Sequence, residues 1–220
     1  MSTERILDDR SHVPAMLEVA ALGTLVLSYT WNWQGAFPGH AQLVVLLYFG
    51  IGLASHLRRG ETARQIGVRL DNWRAALRNT LPLVAIALFV PLALGAAFDT
   101  WHFPSWQRAL ASLPWTIAWG TAQQYGLVCI LYRRLLEIVQ GPWAATVCAA
   151  ALFAVFHTPN PLLMVVTLIA GVASCTLYRR EPNVFVLGVA HAAVSYVISG
   201  AFPLSVTHGM HVGPAYFWFS

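Results

Sequence analysis

The sequence predicts an all-α protein built into a membrane. It reads as a polytopic helix bundle of about seven spans, with a surface amphipathic helix and room for a short eighth segment in the tail. Three observations carry this. Of 220 residues, 57% are hydrophobic and only 10% are charged, whereas a soluble domain usually carries about 25% charged residues. Uncharged apolar runs recur along the whole chain, most of them near the ~20 residues a helix needs to cross a bilayer. The thirteen basic residues, all arginine, fall at the edges of those runs. The net charge of +4 therefore describes membrane-edge anchors and no nucleic-acid surface.

The first span runs from about Ala15 to Trp31 and is interrupted by Glu18. No secretory signal pattern stands out before it, and further spans follow, so this segment is expected to be retained. The second runs from about Ala41 to His56. Residues 1–60 thus form an N-terminal two-span segment, and residues 61–79 a basic connector. Within the connector Ile66, Leu70, Trp73 and Leu77 recur at helical spacing, with Arg64, Arg69, Arg74 and Arg78 largely off that face. An amphipathic surface helix fits this pattern, although Gly67 weakens it. Residues 80–220 form the helical core. Its spans run from about Leu81 to Phe98, Trp106 to Tyr132, Trp143 to His157, Leu162 to Tyr178, and Val184 to Ser199. Pro91 lies inside a span, where neighbouring helices can satisfy the carbonyl it frees. Cys129, Cys148 and Cys175 lie in apolar runs without metal-type spacing and read as buried free thiols.

With the N-terminus inside, twelve of the thirteen arginines fall on the cytoplasmic side and only Arg108 on the other. This is a strong positive-inside pattern. It predicts an integral protein of the bacterial cytoplasmic membrane with a cytoplasmic N-terminus.

Polar side chains within the spans are costly unless they find partners, so they are functional candidates by default. Gln123 and Gln124 lie in the fourth span, His157 at the end of the fifth and His191 in the seventh. The two histidines, on separate spans, can face one another to hold a metal or orient a water. Adjacent glutamines differ by about 100° around a helix, so at most one points straight at the bundle centre. His157 and Asn160 share a face if the helix continues through Pro159; His191 and Ser195 share one as well. Each also has a plainer reading. A lone intramembrane histidine is often a strut between helices, and glutamines serve as inter-helix glue. His208 and His211 have spacing that suits a metal, but the glycine-rich surroundings favour a loop.

In order and spacing these segments resemble the CPBP family, the CAAX proteases and bacteriocin-processing enzymes also called the Abi family. These are multi-span intramembrane endopeptidases with a Glu-Glu-x-x-x-Arg motif, a Phe-x-x-x-His motif and a later His-x-x-x-Asn motif. The run FAVFH, Phe153 to His157, matches the second. The following Pro-Asn, Gly171, the LYRREPNVF stretch and His191 follow the family's course towards the third, and IGVRLDNW looks like its pre-core segment. The resemblance covers roughly residues 62–198. It implies catalytic roles for His157, His191, Gln123 and Gln124, and substrate or oxyanion roles for Asn160 and Ser195. A divalent metal such as zinc, held by His157 and His191, is the cofactor candidate. The departures are specific: Gln123 and Gln124 replace two glutamates, Val128 stands where the arginine belongs, and Ser195 replaces asparagine. A neutral amide cannot take a proton as a carboxylate can.

Three functions follow. The first is an intramembrane endopeptidase acting on a membrane-associated peptide or protein, with atypical or lost catalysis; the two retained histidines favour it. The second is a non-catalytic relative that binds a partner or transmembrane segment in the same cavity, as a chaperone, receptor or immunity factor. The third, a small-molecule carrier, ranks last because the sequence shows no inverted repeat. Beyond the lipid bilayer, the expected partner is a membrane-anchored peptide or protein, with no role for nucleic acid.

Overall fold

The computed structural model describes the backbone of residues 3–33 and 41–219 and the side chains of residues 12–32 and 41–218. The anchors expected at Arg5 and Arg10 lie outside the described side chains. The fold is a helix bundle, with no strand among the described residues. Helix α1 (Thr3–Ser28) runs into a π-wound turn, Tyr29–Trp33, and α2 (Ala41–Arg58) pairs with it. Helix α3 (Trp73–Ala97) follows the connector. Helix α4 (Trp106–Gln124) continues without a break through a π-wound stretch, Tyr125–Tyr132, into α5 (Arg133–Ile138). Then come α6 (Pro142–Val155), α7 (Pro161–Arg180), α8 (Val184–Ala201) and a single turn, α9 (Leu204–Thr207). Five helical segments are long and apolar enough to cross a membrane: His12–Asn32, Ala41–Arg58, Trp73–Ala97, Pro161–Arg180 and Val184–Ala201. Helix α6 is apolar but shorter.

The helix ends follow from local chemistry. Pro142 and Pro161 open α6 and α7 at positions where a missing N–H costs nothing. Asn160 caps α7 by accepting from Leu163 N, and Asn183 caps α8 by accepting from Val186 N. Each cap also ties a distant segment. The Asn183 amide donates to Arg69 O at 3.0 Å and Asn72 Oδ1 at 2.8 Å, fastening the connector to the α7–α8 turn.

The connector differs from the sequence expectation. Residues 63–67 fold as turns, and regular helix begins only at Trp73, as the start of α3. Gly67 is the physical reason. Its φ of +76° lies in the left-handed region, and a Cβ there would meet Pro182 C at 3.1 Å and Asn183 N at 3.2 Å. Its carbonyl accepts from Val184 N at 2.9 Å. Ile66 is therefore buried in the core, while Leu70, Trp73 and Leu77 stay exposed. Among the described residues the tail forms no eighth span. It makes short turns, with Gly213 N donating to Thr158 O at 2.8 Å and so lying against the His157–Asn160 corner.

The N-terminal hairpin is fastened to the core by buried charge. Arg134 is fully buried; it donates to Glu61 and to Glu137 and lies 3.7 Å from Glu18. Arg59 joins Glu18 and Glu137, each at 2.9 Å, and Arg133 joins Glu61. Ser55 Oγ donates to Glu18 at 2.6 Å, and His56 Nδ1 lies 2.6 Å from Glu61. Three carboxylates thus face three guanidiniums across α1, α2, the connector and α5. Such groups are tolerated out of water only because each finds a partner.

Burial alone would raise the Glu61 carboxyl, but its hydrogen bonds from Arg133 and His56 and the charges of Arg133 and Arg134 bring it down to about 2, from an ordinary 4.5. A depressed carboxyl adds stability that is present above the unfolded value and lost as pH falls through the folded one. Unfolding of the detergent-solubilised protein should therefore become easier between pH 4.5 and about 2. Glu61→Gln should be less stable at neutral pH and should lose that part of the acid dependence.

Candidate functional site

Two glycines let α4 and α8 come close. A Cβ on Gly120 would lie 2.8 Å from Gly188 O and 3.3 Å from His191 Cδ2; one on Gly188 would lie 2.7 Å from Thr121 Cα. Small residues of this kind allow membrane helices to pack backbone to backbone. The close approach brings the His191 ring against the end of α4. Gln123 Nε2 lies 3.3 Å from His191 Nε2, and Gln124 Nε2 lies 3.2 Å from His191 Nδ1. Both glutamines thus reach one imidazole, one at each nitrogen. The expectation that at most one of them points straight at the bundle centre does not keep either from the ring, because a flat imidazole between two neighbouring side chains needs neither to aim at the centre.

A neutral imidazole has one donor and one acceptor nitrogen. One of the two amides must therefore turn its oxygen to His191 and the other its NH2. Amide oxygen and nitrogen are assigned from the surrounding hydrogen bonds, so either glutamine can be the one that turns. Gln124 is buried, and the end of its amide away from His191 has no partner.

The other side of α4 is held by Tyr48 of α2, whose hydroxyl donates to Ala122 O at 2.7 Å. Its ring fills the space at Gly126, where a Cβ would lie 2.8 Å from Tyr48 Cζ. The π-wound stretch begins at Tyr125, immediately after the glutamines. Widened turns of this kind are frequent at functional sites.

Phe153 links the two histidines. Its buried ring stands edge-on to His157, with centroids 4.8 Å apart, and 6.2 Å from His191. His157 Nδ1 lies 2.7 Å from Phe153 O. A carbonyl only accepts, so this nitrogen carries the proton and Nε2 is left with a lone pair.

The remaining candidates stand apart. Helix α6 ends at Val155, so His157 and Asn160 do not share a helix face. Asn160 is fully buried. Its oxygen caps α7, and its NH2 donates to Thr207 O at 3.0 Å and His211 O at 3.1 Å, which leaves it a structural pin for the tail. Ser195 lies half-buried one turn beyond His191. His208 stacks on Tyr216 at 4.1 Å within the short turns of the tail, as the glycine-rich surroundings suggested. The three cysteines are free thiols. The sequence reading did not single out Gly120, Gly188 or Tyr48. A small residue one turn before the glutamines was the available signal.

The donor set does not fit zinc. Zinc sites take thiolates, imidazoles and carboxylates, three or four to a metal. Among the described residues no three His, Cys, Asp or Glu side chains converge. Here His191 is engaged at both nitrogens by neutral amides, and His157 holds the Phe153 carbonyl.

Residues 125–197 match the family model described as type II CAAX prenyl endopeptidase Rce1-like. The match covers part of the chain and agrees with the resemblance to the CPBP family. The matched stretch holds Val128, His157, His191 and Ser195 and begins one residue after Gln124. No curated protein and no solved structure matches the chain.

Replacing Gly120 by Ala should destabilise the bundle by about 1–3 kcal/mol, since the new Cβ would meet the Gly188 backbone oxygen and the helices must part. Thermal unfolding in a fixed detergent measures this. The same change on exposed Gly60, which faces open space, should cost less despite its positive φ.

Proposed function

We propose that this protein is a CAAX-protease-type membrane protein that binds a membrane-anchored peptide or transmembrane segment beside Gln123, Gln124, His157 and His191, without the carboxylate-driven hydrolysis of its family. The observation that carries this reading is the engagement of both His191 nitrogens by two neutral amides. A histidine whose lone pair is already taken by an amide N–H is not poised to accept a proton from water, and the amides themselves cannot accept one.

Val128 supports the same reading. The resemblance places an arginine there and a carboxylate one turn before it. This chain has replaced both charges with neutral groups, and Val128 is fully buried. Losing only one partner would strand the other charge away from water, a change that usually costs about 3–5 kcal/mol. Losing both keeps the fold sound. What the site keeps beside those neutral positions is Phe153, both histidines and the close α4–α8 contact. The arginine-rich end, where Arg58, Arg59 and Arg134 gather around Glu18 and Arg133 pairs with Glu61, is read as the cytoplasmic side of a bacterial inner membrane. The reading invokes no metal.

One observation favours a second reading, an atypical peptidase. His157 Nε2 is left as a lone-pair nitrogen by the Nδ1 bond to Phe153 O. As general base it would take a proton from a water attacking a peptide carbonyl, and an amide of Gln123 or Gln124 would stabilise the oxyanion.

Terminal-peptide proteomics of host membranes separates the two. Strains carrying the wild type or His157→Ala/His191→Ala, at matched expression, should show the same set of peptide termini, while the wild type cross-links a membrane peptide. A defined product lost from the double variant would instead establish hydrolysis.

A further inference from the structure

We infer that the group this site accepts is an uncharged internal peptide unit, from an unwound stretch of a membrane-embedded chain, and not a terminal carboxylate or other anion. The inference rests on the peptide-binding reading above and names the chemistry of its ligand.

The polar inventory of the site is neutral throughout. His157 offers an acceptor at Nε2, fixed by the Nδ1 bond to Phe153 O at 2.7 Å. Gln123 is half-buried and, with one end on His191, has the other end of its amide to offer. Gln124 has one end of its amide unpaired although the residue is buried. Whichever glutamine turns its oxygen to His191, one donor–acceptor combination is left over in the cluster. A peptide unit has the matching pair, an N–H for His157 Nε2 and a C=O for an amide N–H.

An anion finds no counter-charge here. Arg133 and Arg134, the guanidiniums nearest along the same helical rod, are taken up by Glu61 and Glu137. Nine and ten residues beyond Gln124, they lie roughly 13–15 Å away at helical rise. Placed beside Gln123 and Val128, a carboxylate would be an unpaired charge held out of water. A fully helical segment is rejected for a different reason, since its backbone groups are already satisfied internally. What remains is a neutral stretch whose helix is broken.

The test uses the full chain in lipid nanodiscs and three apolar peptides, each with a diazirine residue at the same depth. One has an internal Gly-Pro break and blocked ends. The second is the same length and unbroken. The third ends in a free carboxylate at the position of the break. The broken, blocked peptide should cross-link at least roughly tenfold more than the other two, with adducts mapping near Gln123 and His157. In Gln123→Lys the ranking should shift towards the carboxylate peptide. Equal or better cross-linking of the carboxylate peptide to the wild type overturns the inference and leaves peptide binding standing. An unbroken peptide that cross-links as well as the broken one also overturns it. Cross-linking by none of the three overturns peptide binding and the inference together.

Discussion

Charge inside this bundle is tolerated only where it is cancelled. At one end, three glutamates and three arginines from four segments of chain meet around the buried Arg134. That cluster joins the α1–α2 hairpin to α5 and holds the first turn of the connector. Halfway along the same helical rod, where the family pattern would place a carboxylate and an arginine, the chain carries Gln124 and Val128. Both arrangements satisfy one constraint: a lone ionised group out of water is expensive, and a paired or absent one is not.

The site is arranged by packing more than by polar bonds. Gly120 and Gly188 set the distance between α4 and α8, and that distance puts His191 in reach of two adjacent glutamines. Tyr48 presses on the opposite side of α4, where the helix widens. Phe153 is the common wall for both imidazoles.

Much of the fold was legible in the sequence because a span is a local property: an apolar run bounded by arginines, prolines and asparagine caps predicts its own limits. The runs before Arg58 and Arg179 end in the structure close to where they end in the sequence. The connector was misread because periodicity at Ile66, Leu70, Trp73 and Leu77 imitates a helix, whereas Gly67 takes a left-handed conformation to fit beneath Tyr178 and Asn183. Glu18 could be seen only as a break in an apolar run; its partners Ser55 and Arg59 lie some forty residues away. At the site, residue types and order pointed to Gln123, Gln124, His157 and His191. They could not reveal that His191 is held at both nitrogens, nor that Asn160 is consumed by capping and by the tail.

On this reading, neutrality at Gln124 and Val128 is a coupled state of the site. A double-mutant cycle on unfolding free energy tests it most directly, using Gln124→Glu, Val128→Arg and the two together. The account predicts that Gln124→Glu alone costs about 3–5 kcal/mol, and that the double variant is more stable than the sum of the single changes requires, by about 0.5–3 kcal/mol. Costs that simply add, or a Gln124→Glu protein as stable as the wild type, would contradict it.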